Sequence, residues 1–182
     1  MKISKWHGLG NDFILTELSK SSSFDIRGTV ERLCDRHFGV GADGVVTIRH
    51  LSGNAFEMRI YNADGTEPEM CGNATRCVGL YIKRRMLARG DEFELRTKGG
   101  IVRPKVLENG TVRVDMGEPR LLRGEIPVAG NPAEQAREVK LRADGRDFTA
   151  FCVSMGNPHA VIFVPDIEAV ELEKWGPVLE CD

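Results

Sequence analysis

Cys71-Gly72-Asn73-Ala74-Thr75-Arg76-Cys77-Val78-Gly79-Leu80-Tyr81-Ile82-Lys83-Arg84-Arg85-Met86 is the stretch on which the reading of the whole chain turns. From Asn73 to about Met86 the spacing predicts a helix, and Cys77, Val78, Leu80, Tyr81 and Ile82 fall on more than one of its faces. A helix that is apolar on several faces is enclosed by protein rather than laid on a surface. Its cationic end, Lys83-Arg84-Arg85, suits the negative pole of the helix dipole. Outward from it, Phe56, Met58 and Ile60, then Phe93 and Leu95, then Val112, Val114 and Met116 alternate as strands with one buried face. The continuous run Ala160-Val161-Ile162-Phe163-Val164 reads as a further strand. A sheet curled around the 73–86 helix follows from these assignments. Val30, Leu33 and Cys34 mark one short surface helix. Strands outnumber helices and do not alternate with them regularly, so the fold class is α+β. A boundary falls near Gly117-Glu118-Pro119, and the polar stretch from Gly130 to Glu138 reads as loop or a short surface helix.

The composition limits the partners. A formal net charge of -2 offers no basic field to phosphate backbones or anionic lipid, so nucleic acid and membrane partners are not expected and a small polar ligand is. No apolar run approaches the roughly 20 residues that cross a bilayer, and the opening Met1-Lys2-Ile3-Ser4-Lys5-Trp6 lacks a signal-peptide core, which places the chain in the cytoplasm. Cys34, Cys71, Cys77, Cys152 and Cys181 are odd in number, and in a reducing compartment a special cysteine is special as a thiol.

Cys71-Gly72-Asn73 stands where the enclosed helix begins, with the Asp64-Gly65 turn and Pro68 leading up to it. The positive end of a helix favours an ionised thiol, and Gly72 leaves room for a ligand carboxylate to reach the first backbone N–H groups. Most free cysteines are small buried hydrophobes, but the polar, glycine-rich neighbours of Cys71 favour the reactive reading. Cys77, six positions on, faces the core instead, and Cys34 looks like core as well; Cys152 and Cys181 carry no motif. No metal site is expected. Gly39-Val40-Gly41-Ala42-Asp43-Gly44 spells a dinucleotide-binding pattern, yet a helical segment precedes it and the strand-like Val45-Val46-Thr47-Ile48 follows, the reverse of what that chemistry needs. It reads as a loop shaping a pocket wall, with Gly44 a pocket candidate. Asn11, Asn62, Asn73 and Asn157 all adjoin turn signals, and four amides on candidate pocket loops suit the ammonium and carboxylate of an amino acid. His159 is a further pocket candidate, whereas His7 reads as a structural histidine.

One internal similarity bears on domain organisation. Leu9-Gly10-Asn11-Asp12-Phe13, leading into Ile14-Leu15, recurs loosely as Met155-Gly156-Asn157-Pro158-His159, leading into Ala160-Val161-Ile162. If this marks a duplicated unit, the counterpart of Cys71 falls about 60 residues after Asn157, past Asp182.

Taken in order, Lys5-Trp6-His7-Gly8-Leu9-Gly10-Asn11-Asp12-Phe13, Asp35-Arg36-His37-Phe38-Gly39-Val40-Gly41-Ala42-Asp43-Gly44, Asn62-Ala63-Asp64-Gly65, Met70-Cys71-Gly72-Asn73 and Met155-Gly156-Asn157-Pro158-His159 resemble the motifs of diaminopimelate epimerases. The resemblance implies two similar α+β domains, each a curved, mostly antiparallel sheet around a central helix, with substrate in the cleft between them. Residues 1–116 would form the first, carrying Cys71, and residues 117–182 an incomplete second, carrying Gly156-Asn157-Pro158-His159. It further implies interconversion of LL- and meso-2,6-diaminopimelate, on the route to lysine and peptidoglycan, without pyridoxal phosphate, metal or other cofactor, in a homodimer. Cys71 would be one of two catalytic thiols, and Asn11, Asn62, Gly72, Asn73 and Asn157 match substrate-binding positions. Two departures stand out: Ala74 where the family commonly has Gly, and Gly44 where some members have Gln. The segment supplying the family's second catalytic cysteine is not present, so residues 1–182 alone are expected to be inactive. Alternatives on the same residues are a sister racemase or isomerase, of the proline racemase or phenazine-biosynthesis type, and a non-catalytic amino-acid-binding fragment.

Overall fold

The computed structural model describes residues 2–19 and 27–180, so Cys181 lies outside the described residues. The chain divides into two compact units, Met1–Gly117 and Glu118–Asp182.

In the first unit seven strands form one sheet in chain order: β1 (Ile3–Gly8), β2 (Asn11–Glu17), β3 (Gly44–Ser52), β4 (Ala55–Asn62), β5 (Glu94–Thr97), β6 (Gly100–Val106) and β7 (Val112–Asp115). The β2–β3 and β4–β5 pairs are parallel and the others antiparallel. Helix α1 (Arg27–Cys34) enters between β2 and β3, and helix α2 (Gly72–Arg84) between β4 and β5. Helix α2 packs against β1 and β2 at one edge of the sheet and against β6 and β7 at the other. A single helix about 10–12 Å wide can touch both edges of seven strands only if the sheet curls around it. The pleat explains the two faces: Leu15, Val46, Ile48, Phe56, Met58 and Ile60 point inward to α2, while Ile14, Val45 and Tyr61 point outward and are covered by Val30 and Cys34 of α1. The enclosed helix expected from its many-sided apolar pattern is therefore present, with Ala74, Cys77, Val78, Tyr81 and Ile82 buried. Gly79 lets it settle on the sheet, since a Cβ there would meet Pro104 and Val112 at 3.2 and 3.3 Å.

The second unit is a three-stranded antiparallel sheet in the order β10 (Pro158–Val161), β9 (Arg146–Ser154), β8 (Val139–Ala143), with helix α3 (Leu172–Glu180) against β8. Trp175 is the buried residue of α3 and meets the Phe148 ring edge-on, with centroids 5.4 Å apart. Residues 130–138 are loop and turn without a helix. The run Ala160–Val164 differs from its sequence reading: the strand stops at Val161, and Phe163 is 76% exposed. Among the described residues strand β10 pairs on one side only, and Ala160, Ile162 and Val164 border an open cavity of about 990 Å³. Among the described residues no helix is long and apolar enough to cross a membrane.

Candidate active site

The site is built where the β1–β2 hairpin meets the start of α2. Leu9 and Gly10 both have positive φ (56° and 89°) and close a two-residue turn, so that Gly8 pairs with Asn11. Gly8 then lies backbone to backbone against Asn73, where a Cβ would come within 2.9 Å of the Asn73 carbonyl oxygen. Cys71 immediately precedes the helix in extended conformation, φ -145° and ψ 116°. Its carbonyl accepts the Thr75 N–H at 2.9 Å and the Thr75 hydroxyl at 3.0 Å, which anchors the backbone. Its side chain makes no capping bond and is left for other work. The partly buried thiol reaches Asn11 Oδ1 in a long S–H···O contact of 3.9 Å. Asn73 Nδ2 donates to the same oxygen at 3.3 Å, and Arg76 donates to Asn73 Oδ1. The first N–H groups of a helix, here those of Gly72 and Asn73 directly after Cys71, have no acceptor within it.

Behind Asn11 stands a network of charges. Asp43 Oδ2 accepts Asn11 Nδ2 at 2.8 Å and the Asp12 N–H at 2.9 Å, while its Oδ1 accepts Arg36 at 2.7 Å. Arg36 also grips both oxygens of Asp12, at 2.9 and 3.3 Å, and Lys5 lies 3.0 Å from Asp12 Oδ2. The Arg36 guanidinium, seconded by Lys5, holds the Asp12 carboxyl far below the usual carboxylate range despite partial burial. Sequence reasoning singled out none of Lys5, Asp12, Arg36, Asp43 or Arg76 as a site residue. Asp12 and Asp43 each follow or sit within a glycine-rich motif, but pairing across 31 positions is not visible in a pattern.

The other sequence-derived residues divide clearly. Asn11, Cys71, Gly72 and Asn73 are brought together. Gly44 is buried at the start of β3, in register with Phe13 on one side and Asn62 on the other. A Cβ on Gly44 would lie 2.5 Å from the Tyr61 carbonyl oxygen, so the backbone is pressed tight there. The side chain of Asn62 donates to Thr66 Oγ1 at 2.9 Å within the Asp64-Gly65 turn. Val40 and Gly41 close the end of α1, their N–H groups both reaching the Leu33 carbonyl, while the Gly39 N–H reaches the Asp35 carbonyl and the Gly41 carbonyl accepts Lys5 Nζ. The loop leads into β3 and not into a helix. Asn157 and His159 belong to the second unit, at the β9–β10 turn, where His159 Nδ1 lies 3.0 Å from the Asn157 carbonyl oxygen. His7 is an exposed residue of β1. Cys77 and Cys34 are 2% and 4% exposed; burial pushes the Cys77 thiol up to about 11 and that of Cys34 upward. Cys152 is partly buried in β9 and is raised by the same cause.

Solved structures share this architecture. A probable proline racemase from Agrobacterium radiobacter superposes with a TM-score of 0.64 over 92% of this chain and 53% of that one, at 14% identity. A hydroxyproline epimerase from Agrobacterium vitis gives 0.63 over 92% and 52%, at 11% identity. The fold is thus that of racemases and epimerases of this architecture. In sequence, the family model described as diaminopimelate epimerase matches residues 3–122. The diaminopimelate epimerases of Desulforudis audaxviator and Nostoc punctiforme are 47% and 45% identical to the chain over 99% of its length. The chain belongs to the diaminopimelate epimerase family and spans 66% of the length of these relatives.

Proposed function

We propose that the chain is the Cys71-bearing portion of a diaminopimelate epimerase, which inverts the α-carbon of LL-2,6-diaminopimelate to the meso form without a cofactor. The carrying observation is the thiol of Cys71 at the start of an enclosed helix, uncapped and facing the Asn11 amide. Inversion needs one group to take the α-proton from one face and another to return a proton to the opposite face. Cys71 is one of that pair. The helix-start N–H groups of Gly72 and Asn73 grip the α-carboxylate and stabilise the charge that develops when the proton leaves. Asn11 and Asn62 are read as substrate-binding residues of the first unit, with Gly44 a pocket candidate there, and Asn157 and His159 as the corresponding candidates of the second unit. The second unit is read as an incomplete copy of the first, its Gly156-Asn157 turn answering Gly10-Asn11. Its partner thiol is expected in the third of the relatives' length that residues 1–182 do not span. The same reading puts the enzyme in the cytoplasm as a homodimer, supplying lysine and peptidoglycan synthesis.

The test is exchange of the α-hydrogen of diaminopimelate in deuterated solvent. Residues 1–182 alone are expected to show none, and a chain extended to the full length of the relatives is expected to exchange and epimerise. Cys71→Ala in the extended chain should abolish both. Retained turnover in that variant overturns the assignment, and turnover of proline in place of diaminopimelate would move the chain to a sister activity.

A further inference from the structure

Two amides beside the thiol are wired between two fixed charges. The Asp43 carboxylate, pinned by Arg36, can only accept hydrogen bonds, so Asn11 must present its NH2 there and its carbonyl oxygen elsewhere. The Arg76 guanidinium can only donate, so Asn73 must present its carbonyl oxygen to it and its NH2 elsewhere. The two remaining groups, Asn11 Oδ1 and Asn73 Nδ2, meet each other at 3.3 Å, and the Cys71 thiol faces the same oxygen. Neither amide can turn over without placing donor against donor or acceptor against acceptor.

We infer that Asp43 and Arg76 are positioning residues that fix which end of Asn11 and of Asn73 faces Cys71 and its ligand. Asp43 makes Asn11 show an acceptor to the sulfur, which suits a thiol. Arg76 makes Asn73 occupy part of that acceptor. The bearing of this arrangement on epimerisation rests on the function proposed above. The arrangement itself does not, because it can be read from the reactivity of the sulfur.

The probe is iodoacetamide, with labelling of Cys71 followed by peptide mass in the 1–182 chain as a function of pH. The charged groups wired to Asn11 and Asn73 are Asp43, Arg36, Asp12, Lys5 and Arg76, and Cys77 interacts with Cys71 along α2. In Asp43→Ala the Asn11 amide loses the carboxylate that fixes its NH2, and only the Asn73 Nδ2 contact at 3.3 Å still opposes turning that NH2 toward the sulfur. A donor there favours the thiolate, so the pH of half-maximal labelling should fall by about one unit. In Arg76→Ala the Asn11 oxygen is less occupied and better able to hold the thiol proton, so the midpoint should rise. Removing a charge has a direct Coulomb effect of the same sign, and double variants separate the two. In an Asn11→Ala background most of the Asp43→Ala shift should vanish, and in an Asn73→Ala background most of the Arg76→Ala shift should vanish. Shifts of equal size in both backgrounds, or no shift in either single variant, overturn the inference. If Asp43→Ala does not fold, the Arg76→Ala cycle decides alone, with Arg76→Lys expected to restore the wild-type midpoint. Failure of these cycles leaves the isotope-exchange result untouched, and loss of exchange leaves the cycles standing.

Discussion

Gly8 and Asn73 meet backbone to backbone, and the first atom of any side chain at position 8 would come within 2.9 Å of the Asn73 carbonyl oxygen. The end of β1 is thereby the stop against which α2 is seated, and α2 carries Cys71 at its head. Gly8→Ala must push the helix start away from the hairpin. The expected cost is about 1–3 kcal/mol, typical of overpacking against backbone that cannot give. Urea unfolding should report the loss, and Cys71 labelling should change in the same variant because Asn11 sits on the other side of that turn. An unchanged urea midpoint would mean that the contact is absorbed by a small hairpin shift.

The thiols of the described residues differ in a way that labelling can rank. Burial holds Cys77 up at about 11, so at pH 8 only roughly one molecule in a thousand carries that thiolate. Cys34 is raised for the same reason and is equally shielded. Iodoacetamide at pH 8 should therefore label Cys71 well before Cys34 or Cys77, and the difference should disappear in denaturant. Equal labelling of Cys77 and Cys71 in the folded chain would contradict the packing of α2.

The core around α2 makes a further demand. Ile82 is fully buried on the helix, among strands from both edges of the curled sheet. Ile82→Ala should cost about 2–5 kcal/mol through lost transfer energy and a residual cavity. Chemical denaturation of the variant checks it, and a loss below 1 kcal/mol would show that the sheet can close over the gap.

Much of this was legible in the residues. Cys77, Val78, Tyr81 and Ile82 announce an enclosed helix because burial on several sides leaves no polar face, and Phe56, Met58 and Ile60 announce a pleated sheet face by strict alternation. Ala160–Val164 reads too long because an apolar run records a preference for burial, not the presence of a partner; among the described residues β10 has a neighbour on one side only. At the site, Cys71, Gly72, Asn73 and Asn11 could be nominated by type and turn context. Asp43 could not, because its partners Asn11, Asp12 and Arg36 reach it through the parallel pairing of β2 with β3 and the loop after α1. A charge network closed by tertiary pairing leaves no periodic trace.

The same network sets a pH dependence with a definite sign. Arg36 first, and Lys5 after it, depress the Asp12 carboxyl in the folded chain below its ordinary value of 3.8. A group depressed on folding stabilises the protein fully above its unfolded value and loses that contribution as pH falls toward the folded one. Between pH 7 and 5 the wild-type chain should gain nothing and lose nothing from Asp12, and below pH 4 it should weaken steadily. Glu67, depressed mainly by Arg59, acts in the same direction and window, so wild type alone does not isolate the effect. The difference between wild type and Asp12→Asn does. That difference in urea midpoint should be largest and constant at neutral pH and shrink as pH drops through 4 to 2. A difference independent of pH would assign the role of Asp12 to packing and to its backbone bond from the Asp43 N–H rather than to its charge.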